Sequence, residues 1–247
     1  MIVLSTDFGL EGPYIGQVKA AIYQQAPDCH IIDLFSDLPA YNPLAAASLL
    51  AAYCQNFPEG TVFLSVVDPG VGMSERSPVV VKACGYCFVG PANGLFDLVM
   101  KRDSQSQMWL ITWQPETLSN SFHGRDLFAP IAAELALGMF PEDKLSLMNP
   151  LDLSLVDCNY SCIAYIDHFG NLISGIQTGI VPGEAILELR GEKIAYTRTF
   201  GESDPGALFW YENSNGLIEI AANCASAAKI LGAEIGDNIC LQESLGN

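Results

Sequence analysis

The sequence predicts an α/β fold: an N-terminal domain built on a mainly parallel sheet flanked by helices, then a smaller C-terminal domain, mainly antiparallel and β-barrel-like. Three observations predict it. From Met1 to Phe140, short apolar runs alternate with helical stretches, as strands do when helices connect them. Those runs are apolar at successive positions, as in parallel strands covered on both faces. Beyond Met148-Asn149-Pro150 the pattern changes to short β-type runs punctuated by Gly, Asn, Ser and Asp, which suits antiparallel pairing.

The chain opens with an apolar strand at 2–5 and a helix at 14–25. A second strand at 31–34 precedes a helix at 43–54. There Asn42 suits the cap, and Pro43, with no N–H to leave unpaired, suits the first helical position. Strands follow at 62–67 and 79–82, then the apolar stretch Tyr86-Cys87-Phe88-Val89 and a helix at 127–137. The character changes between 148 and 158, giving domains of 1–150 and 156–247. In the second domain, strands are expected at 163–166, 185–189, 208–211 and 217–221. With 50% of its residues hydrophobic, the chain has the means to bury a sizeable core.

The balance of 28 acidic against 11 basic residues, a formal net charge of −17, repels phosphate backbones and anionic lipid. Nucleic acid and membrane surfaces are therefore poor partners, and a cationic small substrate is mildly favoured. No apolar run approaches the ~20 residues that span a bilayer. The opening Met1-Ile2-Val3-Leu4 reaches Asp7 too soon for the apolar region of a signal peptide, so the expected location is the cytoplasm.

Eight cysteines are scattered along the chain. Cys84 with Cys87, and Cys158 with Cys162, have spacings from which a four-thiolate zinc site could be built. A plain buried role is the commoner use of Cys, and Cys87 sits inside an apolar strand. The three histidines lack metal-ligand spacing, so neither metal nor cofactor is expected.

In an open α/β sheet, ligands bind beyond the carboxyl ends of the strands. Several polar, Gly-containing segments fall there: Thr6-Asp7-Phe8-Gly9, Asp68-Pro69-Gly70-Val71-Gly72 and Gly90-Pro91-Ala92-Asn93-Gly94. Ser121-Phe122-His123-Gly124-Arg125-Asp126 opens a helix. Asp7 can cap the turn after the first strand, or accept two hydrogen bonds from a ribose diol. Asp68 and Arg76 can form a loop ion pair, or a carboxylate kept ionised by guanidinium for chemistry. His123 can be structural; at a helix start its neutral imidazole is favoured. Arg125 and Asp126 are expected to pair locally. Asp7-Phe8-Gly9 matches the kinase D-F-G tripeptide, but H-R-D and the glycine-rich loop are missing. Phosphate-loop, dinucleotide and nucleophile-elbow signatures are missing too.

Together these segments resemble the S-adenosylmethionine hydroxide adenosyltransferases, relatives of the adenosyl-halide synthases (the fluorinase and chlorinase enzymes). The resemblance runs through Thr6-Asp7-Phe8-Gly9, Val67-Asp68-Pro69-Gly70-Val71-Gly72 with Arg76, Pro91-Ala92-Asn93-Gly94-Leu95 and Phe122-His123-Gly124-Arg125-Asp126-Leu127-Phe128-Ala129-Pro130. It continues through Ile166-Asp167-His168-Phe169-Gly170-Asn171-Leu172-Ile173, Asn213-Ser214 with Gly216, and Ala225-Ser226-Ala227-Ala228. It covers almost the whole chain in the family's order.

The resemblance implies an enzyme that hydrolyses S-adenosyl-L-methionine to adenosine and L-methionine, as a homotrimer with sites shared between subunits. It implies a catalytic set of Asp68, Arg76 and His123, and a ribose-binding Asp7. It places further substrate contacts at Phe8, Tyr41, Asn93, Phe122, Asp167, Phe169, Asn171, Phe200, Ser214 and Ala225. Gly12 stands where many relatives carry an acidic residue, Ser174-Gly175 replaces a common Thr-Asn pair, and Tyr41 stands where halide users have Trp. Two rival readings are a halide-using synthase, which the Asp68 carboxylate disfavours by repelling the anion, and a non-catalytic adenosine-binding module.

Overall fold

The computed structural model describes residues 1–73, 76–149, 151–154, 156–183 and 185–242. They form two compact units, Met1–Val156 and Asp157–Asn247. The first unit runs β1 (Ile2–Thr6), α1 (Tyr14–Gln25), β2 (Ile31–Phe35), α2 (Pro43–Tyr53), β3 (Val62–Val66), β4 (Pro78–Ala83), β5 (Tyr86–Pro91), α3 (Asp97–Lys101), β6 (Gln107–Ile111), α4 (Ala129–Ala136) and β7 (Leu145–Leu147).

Its strands make one seven-stranded sheet, ordered β2-β1-β3-β5-β4-β6-β7. β2, β1, β3 and β5 run parallel. β4 reverses against β5, β6 reverses again, and β7 reverses once more. The sheet is therefore mainly parallel. Alternate residues of each strand serve opposite faces. On one face Ile2, Leu4, Val62 and Leu64 pack with Val18 and Ile22 of α1 and Ile131 and Ala132 of α4. On the other, Phe63 and Phe88 stack with ring centroids 5.1 Å apart. Asn42 caps α2 by accepting from the Ala45 N–H at 3.1 Å, with Pro43 at the first helical position.

Two expectations need correction. The strand at 31–34 is not covered on both faces: β2 is the sheet edge, Ile32 is 40% exposed, and Asp33 pairs with Lys19 at 2.6 Å. The helix expected at 127–137 begins earlier, with a π-helical turn over Gly124–Phe128 before α4.

The second unit runs β8 (Tyr160–Ile166), β9 (Leu172–Gln177), β10 (Ile186–Leu189), β11 (Glu192–Ile194), β12 (Leu208–Glu212), β13 (Leu217–Ala222), α5 (Ala227–Leu231) and β14 (Cys240–Gln242). Its strands form a four-stranded sheet, β12-β13-β9-β8, and a three-stranded one, β11-β10-β14. Among the described residues, the strand pairings within these two sheets are antiparallel. Trp210 is buried among Ile163, Leu187, Ile218 and Ile220, and its Nε1–H donates to the Ala185 carbonyl at 2.9 Å. Isolated bridges Tyr196↔Trp210 and Cys162↔Asn238 link the outer strands of one sheet to the ends of the other.

The cysteines also need correction. Only Cys54 is buried, while Cys84, Cys224 and Cys240 are exposed. Cys84 and Cys224 have positive φ, 53° and 56°, so turn geometry rather than core packing sets their exposure. Among the described residues, no helix is long and apolar enough to cross a membrane.

Candidate active site

Two clefts, one in each unit, collect most of the expected site residues. The first lies at the carboxyl ends of β1 and β3, a cavity of about 420 Å³ lined by Asp7, Phe8, Tyr41, Asp68, Phe122 and His123 among others. Asp7 leaves β1 with its own N–H bonded to the Val66 carbonyl at 3.3 Å. Its Oδ2 accepts from the Tyr41 N–H at 3.2 Å. Burial pushes the Asp7 carboxyl up, against the lowering effect of the Tyr41 hydrogen bond. Tyr41 holds a φ of 62° and is 76% exposed at the rim.

Asp68 follows β3 after one residue, Val67. Its Oδ1 accepts from the Gly70 N–H at 3.2 Å and is ion-paired with Nη1 of Arg76. The two side chains are only 6% and 9% exposed. Such burial makes the pairing matter, because either charge alone would lack solvation. Burial draws the Arg76 guanidinium down to about 10, which leaves it protonated at neutral pH. The other carboxylate oxygen, Asp68 Oδ2, is buried without a hydrogen-bond partner among the described residues.

His123 stands at the start of the π-helical turn. Its pKa lies below the ordinary value, first through burial and then through the positive charge of Arg76; Asp126 opposes the shift. The imidazole is therefore neutral near pH 7. The helix start had suggested the same state, but burial is the larger cause. Two contacts fix this loop. A Cβ at Gly124 would meet Phe8 Cζ at 3.0 Å, so glycine admits the Phe8 ring. At Gly72, with φ +82°, a Cβ would meet the Asn120 carbonyl oxygen at 2.7 Å, so the Asp68 loop lies against the segment leading to His123. Arg125 and Asp126 pair as expected, Nε to Oδ1 at 2.5 Å, and Asp126 also accepts from the Ser119 N–H at 2.9 Å.

The second cleft, about 610 Å³, is lined by Asp167, Phe169, Asn171, Phe200 and Ala225 among others. Asp167 Oδ1 accepts from the Phe169 and Asn171 N–H groups at 2.9 and 2.8 Å, and its Oδ2 accepts from Asn171 Nδ2 at 3.0 Å. This carboxylate organises its own turn and leaves Phe169 74% exposed. Phe200 packs edge-on against Phe209 and Tyr211, with centroids 5.0 and 5.4 Å away.

Arg76 lines neither cleft and reaches the first through its pairing with Asp68, and two further expected residues lie elsewhere. Ser214 is exposed in the turn between β12 and β13 and does not line the second cleft. Asn93 does not line the first cleft; it faces a neighbouring depression with Ser77 and Asp97, and its Nδ2 donates to the Val67 carbonyl at 2.8 Å. Sequence reasoning missed Tyr14 on the first cleft and Tyr211 and Glu219 on the second. Glu219 accepts from the Tyr211 hydroxyl and from Asn213 Nδ2 at 3.1 Å, and burial raises its carboxyl pKa. A lone acid inside Leu217-Ile218-Glu219-Ile220 was the available signal.

The comparisons with known proteins cover nearly the whole chain. Residues 2–144 match the SAM hydroxide adenosyltransferase N-terminal domain, and residues 161–240 match the C-terminal domain of the same family. A Thermus thermophilus protein named (R)-S-adenosyl-L-methionine hydrolase is 38% identical, covering 94% of this chain and 95% of its own. A Salinispora arenicola protein of the same name is 30% identical and covers 96% of each chain. The crystal structure of an uncharacterized conserved protein from Thermotoga maritima superposes with a TM-score of 0.87 at 30% identity, over 98% of this chain and all of that one. With both of its domains matched by one family's models, the chain belongs to the SAM hydroxide adenosyltransferase family.

Proposed function

We propose that this protein hydrolyses S-adenosyl-L-methionine to adenosine and L-methionine by in-line attack of water on ribose C5′. One observation carries the reading: a single cavity gathers Asp7, the buried Asp68 paired with Arg76, and a neutral His123. The hydrolase names of the relatives support it.

The sulfonium makes C5′ electrophilic. As the water oxygen bonds to C5′, the C5′–S bond breaks and sulfur keeps the electron pair, leaving as the neutral thioether of methionine. No general acid is required. The water must lose one proton; Asp68 and His123 hold the water, and one of the two accepts that proton. Asp68 Oδ2 is suited to the task because the other oxygen is already taken by Gly70 and Arg76. Positioned proton transfer contributes roughly 10²–10⁴-fold, and fixing the near-attack geometry ~7–11 kcal/mol. Asp7 takes the ribose diol. Phe8 and Phe122 wall the reacting carbon from bulk water, which otherwise stabilises the separated charges.

Tyr41 would lie against the nucleoside at the first cleft. Asp167, Phe169, Asn171, Phe200 and Ala225 of the second cleft, with Ser214 from the β12–β13 turn outside it, would supply the adenine and methionine contacts, with no cofactor. We propose a cytoplasmic homotrimer in which neighbouring subunits complete each site; the exposed Tyr41 and Phe169 support it. The linking bridges at Tyr196 and Cys162 support a barrel-like closure of the second domain.

The test is incubation of the purified protein with S-adenosyl-L-methionine and chromatography of the products. Equal amounts of adenosine and methionine are expected. Retained, unconverted substrate would establish a binding module instead, and 5′-halo-adenosine formed with added halide would establish a synthase.

A further inference from the structure

We propose that Asn93 is a positioning residue that, together with the neighbouring Ala92 N–H, clamps the two stems of the loop carrying Asp68 and Arg76. The inference rests on the reading of that ion pair as catalytic.

Topology creates the need for a clamp. β3 and β4 are consecutive in the chain but not adjacent in the sheet, because β5 lies between them. β5 is parallel to β3 and antiparallel to β4. The end at which β3 finishes is thus the end at which β4 starts and β5 finishes. The described ends of the connection, Val67 and Ser77, therefore stand on opposite sides of the end of β5. Asp68 opens that connection and Arg76 closes it, so their encounter depends on how far apart the two stems are held.

The residues leaving β5 hold both stems. Asn93 Nδ2 donates to the carbonyl of Val67, the residue before Asp68, at 2.8 Å. The Ala92 N–H donates to the carbonyl of Ser77, the residue after Arg76, at 2.9 Å. The amide must present its nitrogen to Val67, because a carbonyl oxygen can only accept. Each anchor is one residue outside a member of the ion pair. The Ala92 anchor prolongs the β4–β5 ladder beyond its last pair, Pro78↔Pro91, and needs only backbone. The Val67 anchor needs a side-chain donor, which Asn93 supplies. Gly90 brings the strands close enough for this reach: a Cβ there would overlap the Ser65 carbonyl.

The expected phenotype is a loss of alignment without a loss of substrate contact. In Asn93→Ala and the isosteric Asn93→Asp, kcat should fall by about 10–100-fold, the scale of a small misplacement, with KM within about twofold of the parent. Both variants should unfold cooperatively near the parent's Tm. Hydrogen–deuterium exchange in peptides covering 67–77 should quicken in both, while peptides from α1 and α4 stay unchanged. The exchange reads the clamp without turnover, so it stands or falls separately from the hydrolase reading. A raised KM with kcat preserved would make Asn93 a substrate contact and overturn the proposal. Unchanged exchange at 67–77, or failure of both variants to fold, would overturn it as well.

Discussion

Phe8 packs edge-on against Phe122, with ring centroids 5.8 Å apart and planes at 74°. Phe8 follows Asp7 and Phe122 precedes His123, so this contact joins two loops that each carry a candidate site residue, and Tyr14 packs against both rings. Such pairs contribute about 0.5–1.5 kcal/mol beyond their buried area. Phe122→Leu keeps apolar bulk but removes that contact. It is expected to lower kcat/KM about tenfold or more by loosening alignment while leaving far-UV circular dichroism unchanged. Kinetics equal to the parent's would show that the rings do not set that alignment.

Asp68→Ala and His123→Ala should each reduce kcat by roughly 10²–10⁴-fold, with KM little altered. Asp68→Ala carries a second signature. It strands the Arg76 guanidinium, 9% exposed, without its partner, and breaking a buried pair costs about 3–5 kcal/mol. Thermal unfolding should therefore separate the two variants, with a lowered Tm for Asp68→Ala alone. Equal loss of binding in both would remove these side chains from the nucleophile's place.

Asp7→Ala should weaken adenosine binding about 10–100-fold, because hydrogen bonds to a charged acceptor are each worth ~1.5–3 kcal/mol. Isothermal titration with adenosine measures it. An unchanged Kd would take the ribose diol away from Asp7.

The pH profile follows from His123. Burial and Arg76 hold its pKa below the ordinary His value of about 6.5. In the proposed mechanism neutral imidazole is the active form, so kcat/KM should be at its plateau at neutrality and fall as pH drops through that lowered pKa. Asp126 acts in the opposite direction, favouring imidazolium. Asp126→Asn should therefore move the acid limb of the kcat/KM profile to still lower pH. A limb that stays fixed, or moves up, would mean that another group titrates.

Gly90→Ala should be strongly destabilising. The new Cβ would overlap the Ser65 carbonyl and reach Phe96 Cζ at 3.0 Å, and both neighbours belong to packed backbone or core. Overpacking of this kind costs about 1–3 kcal/mol, and about 2–4 °C of Tm accompanies each kcal/mol at this size. A parent-like Tm would show that β3 and β5 can separate at no cost.

The first unit was largely legible because both-sided burial writes itself as continuous apolar runs. Residues 62–67 and 86–89 read correctly for that reason. β6 and β7 escaped because both are short: β6 opens on the polar Gln107, and Ser146 splits the three residues of β7. β9 was hidden by Ser174-Gly175, polar or small residues in a strand buried from Leu172 to Ile176, where Ser174 Oγ donates to the Ile218 carbonyl at 2.8 Å. At the site, single residues such as Asp7 and His123 could be placed from strand ends and helix starts. The redirection of Asn93 toward Val67 could not, because it depends on strand order, and strand order is not written in local spacing.

That strand order has a consequence for the timing of assembly. β5 wedges between two strands synthesised before it. A nascent chain that has produced Asp68 and Arg76 still lacks the spacer that sets their separation. Collapse of the early helices and strands can precede any competent site. After dilution from denaturant, recovery of turnover should therefore trail recovery of helical circular dichroism.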